Sequence, residues 1–188
     1  QDALLDLSDQ KEIGVITRAD VSYPESLVER LPEKWLPYFL FHCGGLSILT
    51  QPGLSILGTS KPSTKAQASA GELARSLVSD GHHLVGSYGK GINRFALDAA
   101  REAKGVTTIV LPLGINHFED SLQNVQDALS ESRMLVFSPY MPDRSYSKLL
   151  AKGRQVLIAA LSEAIFVIAP DHGPGEWDWL GQFQSRGG

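Results

Sequence analysis

The chain has 188 residues, a formal net charge of −4 and a single cysteine. This length is sufficient for one well-buried domain, and one cysteine excludes an internal disulfide and a cysteine-rich metal site. No apolar run approaches the roughly 18 residues of a membrane span. The net charge argues against a surface coated in basic residues, although it leaves room for a local basic strip. Because the sequence also shows no signal peptide, we expect a cytoplasmic protein without a membrane partner.

The elements predicted in chain order begin weakly and then alternate regularly. Residues 1–35 are polar, with one short helix expected at 26–30, and a first strand is expected at 35–42. Apolar runs then predict strands at 54–57, 83–85, 107–111, 134–137 and 164–169. Apolar residues at helical spacing predict helices at 64–80, 93–104, 120–130, 145–162 and 176–185.

This alternation predicts the fold class. Strands that alternate with helices form crossover units, so we expect an α/β fold with a doubly wound, mostly parallel sheet and helices on both faces. The run at 164–169 is unbroken and apolar, which is typical of the centre of a parallel sheet. We divide the chain into an N-terminal extension with the first strand (1–45) and a Rossmann-like core (46–188), with truncation of the core at its C-terminus left open.

Two glycine-rich turns carry the strongest functional signal. One follows the strand at 54–57 and contains Lys61, and the other follows the strand at 83–85 and contains Lys90. A strand that ends in small polar residues just before a helix leaves free backbone N–H groups at the positive end of that helix. Two such turns on neighbouring strands would line one crevice at the carboxyl edge of the sheet, where open α/β folds bind ligands. The pattern therefore predicts an anion-binding crevice.

The order of motifs resembles the bacterial DNA-processing protein A family (DprA, also called Smf). The resemblance runs through residues 13–20, Tyr23-Pro24, the turns at 58–63 and 86–93, and the stretch at 154–162. It departs from the family where arginine becomes Ser60, a second arginine becomes Lys90, and aspartate becomes Asn93. Lysine neutralises a phosphate as a point charge without the bidentate fork of arginine.

The resemblance implies a non-enzymatic protein that binds single-stranded DNA. In that reading it protects single strands, helps load a RecA-type recombinase during DNA uptake and recombination (natural transformation), forms a homodimer, and needs no cofactor or metal. The residues that it places against DNA are Gly58, Thr59, Ser60, Lys61, Ser63, Ser87, Gly89, Lys90, Gly91, Asn93, Lys152, Arg154 and Gln155.

Several alternatives remain open. The glycines can serve tight turns alone, Asn93 can cap a helix rather than touch DNA, and Tyr88 can either stack on a base or be a partly buried turn residue. Sister families on this core cleave nucleoside monophosphates, so a small-nucleotide binder or hydrolase is the second hypothesis, weakly echoed by Gly173-Pro-Gly-Glu176. A degenerate copy that keeps the fold only for dimerisation or partner contact is the third. His42, His117 and His172 have no nearby Cys or Glu at metal-ligand spacing. His82 and His83 are adjacent on a predicted strand, so their side chains point in different directions and cannot both bind one metal ion.

Overall fold

The structure is a computed structural model that describes residues 13–50, 53–118 and 122–168. These residues contain seven β-strands and five α-helices. The strands are β1 (Gly14–Thr17), β2 (Phe39–Gly44), β3 (Gly53–Gly58), β4 (His83–Gly86), β5 (Thr107–Val110), β6 (Met134–Ser138) and β7 (Ser162–Ile168). The helices are α1 (Glu25–Arg30), α2 (Thr64–Ser79), α3 (Ile92–Glu102), α4 (Leu122–Ser130) and α5 (Lys148–Leu161).

All seven strands belong to one mixed sheet. Their order is β1-β2-β6-β5-β4-β3-β7. The five strands from β6 to β7 in that order run parallel, and β2 is antiparallel to both of its neighbours. The predicted class, a mostly parallel α/β fold of the Rossmann type, is confirmed. The division of the chain at residue 45 stays a prediction.

Local signals explain where the long helices begin and end. Ser63 caps α2, its side chain accepting a hydrogen bond from the Ala66 N–H at 3.3 Å, and Gly81 follows that helix with φ +83°. Ser147 caps α5 in the same way by accepting from the Leu150 N–H at 3.3 Å. Because this cap fixes the first turn, α5 starts three residues later than the predicted 145.

The helices bury two separate apolar cores. Residues of α2, α3 and α4 pack on one face of the sheet, and residues of α1 and α5 pack on the other. The chain leaves β6, crosses in α5 over β5, β4 and β3, and pairs as β7 on the far side of β3. This crossover brings one helix of the second face over the strands that carry the two glycine turns. No helix in the described ranges is long and apolar enough to cross a membrane.

The predicted central position of the last strand is wrong. Among the described strands, β7 is outermost and pairs only with β3. Its apolar side chains are correspondingly open, with Phe166 36% and Val167 40% exposed. An apolar run indicates contact with other apolar surface, but it does not specify that the surface is a second strand.

The N-terminal region also differs from the prediction. β1 was not predicted, because a four-residue edge strand gives almost no alternation to detect. Residues 33–35 form a 3-10 turn, so the first predicted strand starts at Phe39 and not at Trp35. The start of the helix predicted at 120 and the whole helix predicted at 176–185 lie outside the described residues.

Candidate nucleic-acid interface

The two glycine turns touch each other through their backbones. Gly91, the residue before α3, has φ +100° and ψ −157°, a conformation that is essentially restricted to glycine. The Ile92 N–H donates to the Thr59 carbonyl at 3.1 Å, which joins the second turn to the first. A Cβ at Gly91 would lie 2.3 Å from the Thr59 carbonyl oxygen. The approach of the two turns therefore requires glycine at this position.

Asn93 fastens the same junction from the inside. Its Oδ1 accepts from the Ser87 N–H, and its Nδ2 donates to the Ile56 carbonyl at 2.8 Å. The side chain is buried and bridges the end of β3 to the turn after β4. The interpretation of Asn93 as an N-cap is wrong, because α3 begins at Ile92 and Gly91 is the capping residue. Its amide is engaged by backbone groups in the structure.

A crevice of about 690 Å³ opens at the carboxyl edge of the sheet beside these turns. Its walls come from the end of β3, the turn after β4, the loop after β5, the loop before α5 and α5 itself. The predicted site residues that line it are Gly58, Ser60, Ser87, Gly89, Lys90, Asn93, Arg154 and Gln155. The structure thus brings together residues from 58 to 155 along the chain.

The other five predicted residues lie outside the crevice. Thr59 organises the first turn, where its Oγ1 accepts from the Lys61 N–H at 3.0 Å. Ser63 caps α2, and Gly91 joins the turns as described above. Lys61 and Lys152 are exposed. These two lysines can add to the electrostatic field near the crevice, but they do not form its wall.

The charge of the crevice wall is positive. Among the described residues that line it, Lys90 and Arg154 are the charged ones, accompanied by His117, and no carboxylate is present. Lys90 is exposed at the rim. Arg154 reaches toward the second turn, where its Nη1 lies 4.0 Å from the Cβ position of Gly89.

Arg154 is mostly buried and has no anionic partner among the residues that the structure describes. Its Nε is inaccessible and makes no hydrogen bond, and the ion pairs of the described residues do not include it. Burial lowers the pKa of its guanidinium, and Tyr146 and Tyr140 act in the opposite direction. Burying an unpaired cation is unfavourable. An anion in the crevice would relieve that cost.

The loop between β6 and α5 is fixed onto the helix that carries Arg154. The Tyr140 hydroxyl donates to the Leu150 carbonyl at 3.0 Å, and burial raises the pKa of this tyrosine. The same hydroxyl lies 2.9 Å from the Cβ position of Gly153. Glycine inside a helix costs about 1 kcal/mol relative to alanine. Gly153 is therefore explained by the space that Tyr140 occupies.

This contact can be tested by a double-mutant cycle on stability. In a Tyr140→Phe background, Gly153→Ala should raise the free energy of unfolding by about 1 kcal/mol, because the added methyl group no longer meets the hydroxyl. In the wild-type background the same change should give no gain or a loss. Urea denaturation of the four proteins measures both values. Equal effects in the two backgrounds would show that Tyr140 and Gly153 do not interact.

Tyr88 is a partly buried turn residue with its ring engaged by protein. The Arg94 guanidinium carbon lies 3.5 Å from the ring centroid, and the Phe118 ring meets it edge-on at 5.8 Å. Its hydroxyl donates to Asp98 Oδ1 at 2.8 Å, and Asp98 also pairs with Arg94 at 2.7 Å. Of the two interpretations of Tyr88, these contacts favour the structural one.

Sequence reasoning missed Tyr140, Tyr146 and Gly153 as parts of this region. Gly153 gave one usable signal, a glycine within a helical pattern, which often marks a close approach of another group. Metal chemistry finds no support in the described ranges, where no group of three His, Cys, Asp or Glu side chains could hold an ion.

Comparison with known proteins agrees with this geometry. The family model for DNA recombination-mediator protein A matches residues 14–176. The chain belongs to this family. The resemblance predicted from the motifs is thereby confirmed. No curated protein matches the chain at a significant level of sequence similarity.

Two solved structures of the family are similar in fold. DNA processing protein A from Streptococcus pneumoniae superposes with a TM-score of 0.80 and 25% identity, covering 100% of this chain and 64% of that one. DNA processing protein A from Helicobacter pylori, solved to address its single-stranded DNA binding mode, gives a TM-score of 0.75 and 21% identity. That match covers 94% of this chain and 78% of the H. pylori chain. This chain thus spans less than two thirds of the S. pneumoniae protein.

Proposed function

We propose that this chain binds single-stranded DNA in the crevice between the two glycine turns and α5, as a non-enzymatic member of its family. The observation that carries the proposal is Arg154, a mostly buried guanidinium in the crevice wall without an anionic partner among the described residues. A guanidinium fork matches the oxygens of a phosphate in a bidentate manner. The family membership and the fold of the H. pylori protein support the choice of nucleic acid as the ligand.

The second turn supplies the complementary part of a phosphate site. It leads directly into α3, whose dipole attracts anions at the N-terminus of the helix. Because Arg154 lies against Gly89 in this turn, one phosphate can meet the guanidinium and backbone N–H groups together. Lys90 at the rim adds a point charge for a neighbouring phosphate. All 13 residues named from the sequence remain our proposed DNA-binding set, with the crevice-lining ones at its centre.

The wider role follows from the family alone. We infer that the protein protects single strands, acts in DNA uptake and recombination, helps load a recombinase of the RecA type, and works as a homodimer. These roles are proposed for the whole protein. If any one of them is wrong, the proposed DNA-binding site is not contradicted.

Fluorescence anisotropy with labelled single-stranded and duplex oligonucleotides at two salt concentrations tests the proposed binding. We expect a preference for the single strand and a steep fall of affinity with salt. Lys90→Ala should weaken binding and reduce the slope of log K against log[salt] by about 0.7, the contribution of one phosphate contact on a single strand. Lys34→Ala is the control, since Lys34 lies over the Trp35 ring outside the crevice.

Two results would contradict the proposal. One is equal affinity for duplex and single strand, and the other is no binding at low salt by protein that is folded. An unchanged salt slope in the Lys90 variant would remove Lys90 from the site while leaving the crevice in place.

A small nucleotide is the second candidate ligand. The crevice volume of about 690 Å³ lies within the range of small-molecule pockets. The segment at 173–176 that echoes the nucleotide-cleaving families lies outside the described residues. Thermal stabilisation by a mononucleotide, without binding of oligonucleotides, would favour this candidate over single-stranded DNA.

A further inference from the structure

An exposed aromatic ring stands at the rim of the crevice. Tyr146 lies in the loop between β6 and α5, lines the crevice and is 58% exposed. Its backbone is anchored by the next residue, because Ser147 caps α5 through its side chain and its carbonyl accepts from the Ala151 N–H at 3.0 Å. The ring is thus carried by a fixed segment, although much of its surface meets water.

The other two aromatic residues in the crevice wall do not offer a free face in the same way. Tyr88 has Arg94 over its ring, and Phe118 is buried with its ring against Tyr88. Among the described residues, the ring and cation contacts do not involve Tyr146. The Tyr146 ring therefore has an exposed face in the same crevice as the Arg154 cation. Such a face can stack with a flat aromatic group of a ligand.

Tyr146 and Arg154 line the same crevice. A nucleotide presents two chemical groups to such a pair, a phosphate for the guanidinium and a base for the ring. In single-strand-binding proteins, bases stack on aromatic side chains in this manner while the backbone lies in a positive groove. Within a duplex the faces of each base are already covered by neighbouring bases, so a stacking residue favours unpaired bases.

We propose that Tyr146 is the stacking residue of this crevice, with an unpaired base of single-stranded DNA on its ring while the phosphate beside that base lies against Arg154. The inference rests on the proposed function. It adds a physical reason for the preference for single-stranded over duplex DNA. Tyr146 replaces Tyr88 as the aromatic contact, because Tyr88 is held by Arg94.

The test compares variants on two kinds of oligonucleotide by fluorescence anisotropy. Tyr146→Ala should weaken binding of oligo-dT at least about fivefold, the lower end of the effect of removing one stacking residue. Tyr146→Phe should bind within about twofold of wild type, because the ring remains. On an oligonucleotide of the same length whose sugars carry no bases, wild type and Tyr146→Ala should bind alike. Tyr38→Ala is the matched control, since Tyr38 is 72% exposed, lies under Arg18 and does not line the crevice.

The outcomes separate the inference from the function on which it rests. Unchanged binding of oligo-dT by Tyr146→Ala overturns the stacking role while the crevice stays a DNA site. An equal loss on the intact and the base-free strands also overturns it, because the contribution would then come from the backbone. Failure of wild type to bind either strand, or binding of mononucleotides alone, overturns the proposed function and the inference together. Thermal unfolding of each variant verifies that the exposed substitution leaves the fold intact.

Discussion

Replacing Arg154 with methionine should remove most of the affinity for single-stranded DNA without destabilising the protein. Hydrogen bonds to a charged group contribute about 1.5 to 3 kcal/mol, so we expect binding to weaken roughly 10- to 150-fold. The free energy of unfolding should stay equal or rise, because the variant no longer buries a cation that lacks an anionic partner in the described part of the chain. Methionine and arginine have similar helix propensities, so α5 itself is not penalised.

Two further variants sharpen this test. Arg154→Lys keeps the positive charge and loses the bidentate fork, so its affinity should fall between those of wild type and Arg154→Met. Arg75→Met provides a control on the exposed surface of α2. Anisotropy and urea denaturation give the two quantities for each protein. A large loss of stability in Arg154→Met would instead assign this arginine a structural role.

Replacing Gly91 with alanine should have the second large effect, on stability and binding together. The backbone at Gly91 is nearly inaccessible to other residues, and the new Cβ would lie 2.3 Å from the Thr59 carbonyl oxygen and 2.6 Å from the Ser60 Cα. Strain and overpacking together should cost about 3 kcal/mol or more. Because the clash pushes the first turn away from the second, affinity for single-stranded DNA should also fall in protein that is still folded.

Gly81 offers a matched control for this substitution. It also has a positive φ, +83°, but no atom of the described residues lies within 4 Å of its Cβ position. Gly81→Ala should therefore cost only the backbone strain, about 1 to 2 kcal/mol, and leave DNA binding unchanged. Thermal or urea unfolding with anisotropy distinguishes the two variants. Similar losses of binding in both would mean that general destabilisation, and not the contact between the turns, accounts for the effect.

Much of the fold could be predicted from the sequence, because its signals are local. The apolar spacing within 64–80 and the glycine at 81 specify a helix and its end without knowledge of any neighbour. The position of β7 could not be predicted in the same way, since it depends on which strand pairs with it across the sheet. β1 was missed because four residues at an edge carry too little pattern.

In the candidate site, too, the features that are local in the sequence could be predicted, and the contacts between distant segments could not. The two turns were predicted because strand, glycine and helix follow one another in the chain. The burial of Arg154 depends on how α5 crosses the sheet, and the support that Tyr140 gives at Gly153 joins two elements through space. Asn93 lies two positions after the capping residue Gly91, and this shift is enough to change an expected cap into a bridge between two strand ends.

The pairing of β3 with β7 has a consequence for how the protein is made. Ser55 and Ser162 share a buried hydrogen bond of 2.7 Å although they are 107 residues apart in the chain. During synthesis from the N-terminus, one edge of β3 therefore stays without its partner strand until α5 and β7 have both left the ribosome. Closing so long a segment is slow relative to local folding. The crevice, which needs both the first turn and α5, is thus among the last parts of the described chain to form on a nascent polypeptide.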